Sequence, residues 1–282
     1  MKSLKEIAQN SHLKEEELQK IEDIILSHGH YSPSAVREEL DWFCAGLGMS
    51  DYYFKTTPLE TIANHIEALK AAEIITTVRK EKIVKIDLVT ELENEAIYLV
   101  DDYHLRALEI ERRIEERYPD YRLQTYRTLH KTLGLEHLRM YVVMRPEFPT
   151  ERILPDETDL DKIADKKFLA TSPQKTLNRY QRLLDMCKGW ETPLIDISHE
   201  PETKELRLNV VTKTDLSHRF FSNVSDVLNS HGLFSQRKYI EQFANGRTVY
   251  AIYLDDIQDE KLVQDMIEDI TLVYVIPESP LS

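Results

Sequence analysis

Leu206-Arg-Leu-Asn-Val-Val-Thr-Lys-Thr-Asp-Leu-Ser-His-Arg219 runs from an apolar, strand-like stretch into a short polar turn holding an aspartate, and a helix-forming segment follows. The same plan occurs earlier, in Glu95-Ala-Ile-Tyr-Leu-Val-Asp-Asp-Tyr-His-Leu-Arg106. Each copy sets an Asp four residues ahead of an Arg at the strand-to-helix junction, as Asp102/Arg106 and Asp215/Arg219. A plan that recurs in this way predicts duplicated α+β modules.

Reading outward from the second copy, His218–Asn229 carries Phe221, Val224, Val227 and Leu228 at helical spacing, and His231-Gly232 supplies the stop. Arg237–Phe243 and Thr248–Leu254 read as strands joined across Ala244–Arg247, where Asn245-Gly246 is the favoured dipeptide of a tight hairpin. Glu260–Ile267 reads as a helix, Leu272–Ile276 as a closing strand and Leu194–Ser198 as a strand ahead of the repeat. The order β-α-β-β-α-β is the split βαβ plan of ferredoxin-like folds, with helices on one face of an antiparallel sheet.

Around the first copy, Val84, Ile86 and Leu88 alternate with polar neighbours, and Ala96–Val100 continues as a strand. Leu105, Leu108 and Ile114 mark a charged helix, after which Tyr121–Leu129 and Leu138–Met144 alternate as strands. Pro146–Lys166 is rich in Pro, Asp and Glu, the composition of a linker. A helix opening at Thr171-Ser-Pro173 follows, with Leu177, Tyr180, Leu183 and Leu184 on one side, and runs to Gly189. Up to about Arg79 the chain reads as helical: Ser32-Pro33 and Thr57-Pro58-Leu59-Glu60 are cap signatures, and Leu59, Ile62, Ile66 and Leu69 form one apolar stripe. The expected organisation is a helical segment over residues 1–81, a first module over 82–148, an acidic linker and connecting helix over 149–191, and a second module over 192–282.

Composition narrows the functions open to such a chain. Fifty acidic residues against 36 basic ones give a formal net charge of -14, which argues against a large phosphate-tracking surface and so against nucleic acid as partner. No apolar run reaches the roughly 20 residues that cross a bilayer, and the start lacks an apolar signal core, so a cytoplasmic location without membrane attachment is expected. Cys44 and Cys187 stand apart from each other and from any Cys/His cluster, as buried reduced thiols do. With only 7 glycines the chain has a single G-x-G, Gly46-Leu-Gly48, and Asp51 stands where a dinucleotide fingerprint has its third glycine. The histidine pairs His28/His30 and His130/His137 have no further ligand at a recognisable spacing. Tyr239, Phe243, Tyr250 and Tyr253 lie on adjacent predicted strands. Base stacking would need a glycine-aromatic motif that is missing, so a half-buried sheet packed on another sheet is expected.

The second module resembles an ACT-type regulatory domain, a family that often binds amino acids beside the turn from its first strand to its first helix. That turn is Thr212-Lys-Thr-Asp-Leu-Ser-His218 here, with Leu216, Ser217 and His218 where ligand-binding members commonly have Pro and Gly. Together with Asp51–Glu73 and the Ser172–Arg182 helix followed by Trp190, the chain resembles the N-terminal, non-catalytic region of the large NAD-specific glutamate dehydrogenases.

The resemblance implies a regulatory, amino-acid-sensing and assembly region with no catalytic residue and no cofactor of its own, NAD belonging to an attached catalytic portion. It implies an amino-acid effector as ligand, and a homo-oligomer or a catalytic dehydrogenase portion as partner. The implied ligand site comprises Thr212, Thr214, Asp215, Ser217, His218 and Arg219. Asp would answer an ammonium group and Arg a carboxylate. Two readings remain beside it: Asp215 or Ser217 caps the helix, and Asp102, His104 and Arg106 mark a charged helix start. The alternative for the whole chain is an oligomerisation scaffold without a small-molecule site.

Overall fold

The computed structural model describes residues 2–47, 49, 51–78, 90–91, 95–102, 104–118, 120–128, 138–149, 153–214 and 219–275. The protein is α+β, with a helical N-terminal region followed by strands that pair antiparallel. Two compact units are resolved: residues 1–103 with 126–142, and residues 104–125 with 143–282. Among the described residues no helix is long and apolar enough to cross a membrane.

The first unit opens with α1 (Leu4–Ala8), α2 (Glu15–Ser27) and α3 (Pro33–Asp41), the last passing into a π-helical turn at Trp42–Gly46. Capping starts two of them: Ser3 and Glu6 bond reciprocally, and the Ser32 hydroxyl, read as a cap from the sequence, accepts the Ala35 amide at 3.3 Å ahead of Pro33. Next come α4 (Asp51–Thr56), α5 (Leu59–Val78), β1 (Thr90–Glu91) and β2 (Glu95–Asp101). Ile62, Ile66 and Leu69 of the predicted stripe are buried, as are Leu18, Ile21 and Ile25 of α2. Phe43, Tyr53, Phe54 and Tyr126 form an aromatic cluster with ring centroids 5.0–6.2 Å apart. The buried Tyr53 hydroxyl finds His65 Nδ1 at 2.7 Å, so it enters the core without an orphaned polar atom. The expected strand through Val84, Ile86 and Leu88 lies outside the described residues.

The second unit contains α6 (His104–Arg117), the start of β3 (Arg122–Arg127) and the end of β4 (Leu138–Met144), then α7 (Leu160–Ile163), α8 (Lys166–Thr171) and α9 (Gln174–Met186). After these come β5 (Leu194–His199), β6 (Leu206–Lys213), α10 (Phe220–Ser230), β7 (Ser235–Gln242), β8 (Arg247–Leu254) and α11 (Glu260–Val275). The strands stand in the order β7-β8-β6-β5, with β3 beside β7. Tyr250 pairs with Val210 on one side and with Ile240 on the other. The predicted Asn245-Gly246 hairpin is present, with Gly246 at φ 77°.

Two expectations are corrected. Leu272–Val275 continue α11 rather than forming a closing strand, and the sheet position beside β6 is taken by β5, which precedes it in the chain. Over Leu194–Val275 the element order is therefore ββαββα, not the split βαβ order expected for the second module. The helix persists because Met266 and Ile270 are buried and continue a helical stripe, whereas alternation over Leu272–Ile276 is too short to oppose it.

The aromatic sheet face also differs from expectation. Phe243, Val249, Ala251 and Tyr253 pack with Leu160, Ile163, Phe168, Tyr180, Leu183 and Leu184, so helices α7–α9 cover this face, not another sheet. Phe220 of α10 meets the Tyr250 ring at 5.1 Å on the other face. With both faces covered, every residue of β8 is buried.

The acidic segment ahead of α9 is tied to the unit at several points. Asn245 Nδ2 donates to the Glu157 carbonyl at 2.7 Å, the Ala244 amide to the Ile163 carbonyl at 2.9 Å, and Gln181 to the Thr158 carbonyl at 2.9 Å. Asp165 caps α8 through the Phe168 amide and binds buried Arg122 at 2.6 Å, whose guanidinium also meets Glu241.

Candidate functional site

The strand β6 delivers the predicted ligand turn. Thr212 is buried, and its hydroxyl donates to the Lys213 carbonyl at 3.2 Å. The Thr214 amide donates to the Gly246 carbonyl at 2.9 Å and its hydroxyl meets that of Thr248 at 2.8 Å, which ties the end of β6 to the β7–β8 hairpin. Asp215, Ser217 and His218 lie outside the described residues. Arg219 sits immediately before α10 at φ 55°, a left-handed conformation uncommon for a side-chain-bearing residue, and its Nη2 reaches Glu116 Oε1 at 3.0 Å. The helix begins at Phe220, two residues later than His218.

The first amides of α10 have no carbonyl partner within the helix, and such amides favour an anion. An anion of the protein itself occupies two of them. Glu115 of α6 accepts the Phe221 amide at 2.9 Å, the Ser222 amide at 3.2 Å and the Ser222 hydroxyl at 2.6 Å. Burial nevertheless outweighs these hydrogen bonds and pushes the carboxyl up to about 7. Neighbouring Glu111 is fully buried on the same helix, where its Oε1 accepts from Lys238 Nζ at 2.6 Å. Glu115 is the residue that sequence reasoning missed. Its available signal was Glu111 and Glu115, one turn apart and each adjoining Ile110 or Ile114, which are themselves buried.

The other junction is an ion-paired structure. Asp102 accepts Arg139 Nε at 2.7 Å and Nη2 at 3.2 Å and lies 2.7 Å from Arg127 Nε. This fork satisfies the carboxylate from two directions. The side chains of His104 and Arg106 are outside the described residues. Both cysteines are buried free thiols, and burial pushes Cys44 up to about 12, which removes nucleophilic character. Among the described residues no three His, Cys, Asp or Glu side chains gather as metal ligands.

A dinucleotide needs glycines that admit its phosphates to backbone amides. Gly46 belongs to the π-helical turn, and a Cβ there would meet the Trp42 side chain at 3.1 Å, so its smallness serves packing. The α10 amides hold Glu115. Neither Gly46 nor the Phe221 and Ser222 amides is therefore open to a dinucleotide phosphate.

An α+β chain with a helical N-terminal region and a covered antiparallel sheet is the class that the fold defines. The profile described as NAD-specific glutamate dehydrogenase, second domain, matches residues 86–282, and that described as NAD-dependent glutamate dehydrogenase, N-terminal domain, matches residues 11–75. The chain belongs to the NAD-specific glutamate dehydrogenase family. It is 29% identical to the NAD-specific glutamate dehydrogenase of Neurospora crassa over 94% of this chain and 28% of that protein. To glutamate dehydrogenase 2 of Dictyostelium discoideum it is 27% identical, over 95% of this chain and 31% of the relative. The chain thus spans less than a third of the length of these relatives. No solved structure matches it.

Proposed function

We propose that this chain is a regulatory and assembly region of an NAD-dependent glutamate dehydrogenase, cytoplasmic, without catalytic residues of its own. The observation that supports this reading is the pair of matches, which follow each other along the chain and together take up nearly all of it, to parts named as N-terminal and second domains. Oxidation of glutamate and binding of NAD would belong to another portion, joined covalently or as a partner subunit.

Within this reading the effector is an amino acid and its site is the ACT-like turn of Thr212, Thr214, Asp215, Ser217, His218 and Arg219. Its carboxylate would compete with Glu115 for the α10 amides, so binding would loosen α6 from α10. That supplies the difference between two packings which regulation requires. The scaffold reading gains support from the same contact, since amides already satisfied by Glu115 need no ligand.

Thermal unfolding of the purified chain against each amino acid, NAD and NADH separates these readings. A ligand at one hundred times its dissociation constant stabilises the fold by ~2.7 kcal/mol, a shift of several degrees. The sensor reading expects such a shift with one amino acid, abolished in Asp215→Ala. No shift with any amino acid leaves the scaffold, and a shift with NAD overturns the assignment of the dinucleotide to another portion.

A further inference from the structure

The sheet face beneath α9 carries a row of positive charge at one end. Arg207 of β6, Tyr253 of β8 and Arg237 of β7 are register partners across three neighbouring strands. The Arg237 guanidinium lies 4.0 Å from the centroid of the Tyr253 ring, and Arg179 of α9 donates to the Tyr253 hydroxyl at 3.1 Å. Like charges on one face of adjacent strands repel, and they require anions between them.

The protein supplies some. Glu200 meets Lys175 at 3.0 Å, Arg179 at 3.7 Å and also Arg207, while Glu205 meets Arg237 at 2.7 Å and Asp196 meets Arg182 at 3.0 Å. Lys175, Arg179 and Arg207 thus converge on the single Glu200 carboxylate. The shortfall has a location: Nε of Arg179 and Nε of Arg207 are buried with no hydrogen-bond partner. Arg207 is 8% exposed and the Arg179 side chain 9%. Burial and the neighbouring Arg179 hold the Arg207 guanidinium below its usual range, as an excess of positive charge does. Lys175, 62% exposed at its side chain, marks the side open to solvent.

We propose that Arg179 and Arg207, with Lys175 at the rim, form a binding site for a small dianion bearing carboxylate or phosphate groups. Each guanidinium offers its remaining N–H to one charged group, and the ligand supplies the missing negative charge. The site requires no ammonium group and is independent of the turn at Thr212–Arg219. An intracellular dicarboxylate and a phosphate compound share this chemistry, so they are tested apart.

The test is calorimetric titration of the full chain with succinate and, separately, with pyrophosphate, at constant ionic strength maintained by chloride. The expected result is saturable one-to-one binding of at least one of them, weakened at least tenfold in Arg179→Gln and in Arg207→Gln and unchanged in Asp215→Ala. Whichever probe binds identifies the source. If Arg207→Gln does not fold, Arg179→Gln alone decides, with its circular dichroism spectrum as the control for folding. Absence of saturable binding by both probes overturns the proposal, as does binding that Arg179→Gln leaves intact. Loss of amino-acid response in Asp215→Ala bears only on the sensing turn.

Discussion

At Glu115 a single carboxyl group couples the stability of the protein to pH. Its hydrogen bonds favour the charged form and its burial opposes it, and burial wins. A carboxyl held above its ordinary value of 4.5 binds its proton more tightly in the folded chain than in the unfolded one. Stability from this group is complete below about pH 4.5 and is lost as pH rises through about 7, up to roughly 3 kcal/mol in all. Glu115→Gln should remove that slope, so urea midpoints measured between pH 4.5 and 7.5 should decline less for the variant than for the parent. Equal slopes would mean that Glu115 ionises freely in the fold. Arg122 presents the opposite case. Its guanidinium is buried between Glu241 and Asp165, so Arg122→Met leaves two buried carboxylates without their cation. A loss of about 3–5 kcal/mol at neutral pH is expected from urea unfolding, with part of it recovered in acid as the carboxyls protonate.

At the scale of elements, what was legible follows from which forces are local. The hairpin was legible because Asn245-Gly246 sets a turn by its own backbone, and Gly246 does adopt φ 77°. No atom lies within 4 Å of a Cβ built at that glycine, so Gly246→Ala meets only backbone strain. A cost of about 1–2 kcal/mol in thermal unfolding is expected, and Gly246→Asn, which tolerates the left-handed region better, should cost less. The stripe of Ile62, Ile66 and Leu69 was legible for the same local reason, since 3.6-residue spacing reports one buried face. The closing strand was misread because Leu272–Ile276 is too short to distinguish alternation from the end of a helical stripe. The covered sheet was misread because alternation along β7 and β8 says that two faces differ, not that the second is exposed. Of the residues proposed for the site, Thr212 and Thr214 lie at the end of β6 and Arg219 immediately before α10. Glu115 was not legible, because its contact with Phe221 spans 106 residues and leaves no mark in either segment.

At the scale of the whole molecule, family membership assigns the chain to the glutamate dehydrogenases, while its length covers only 28–31% of the two relatives described. The formal net charge is -14, yet Lys175, Arg179, Arg207 and Arg237 gather under α9. An anion site in an acidic protein needs such a local group, because its field must act against the net charge. The segment before α9 has a further consequence. By composition it invites cleavage, being rich in Pro, Asp and Glu, and Lys162 is 57% exposed at its side chain. Proteases, however, need several residues of backbone to leave the fold and enter their cleft as an extended strand, and exposure of one side chain does not provide this. The bonds from Ala244, Asn245 and Gln181 hold that backbone down at Ile163, Glu157 and Thr158. Trypsin should therefore spare Lys162, and Asn245→Ala should render the same bond cleavable under conditions where the parent survives. A chain expected to come apart at its acidic middle would instead be nicked there only after the hairpin tip has let go.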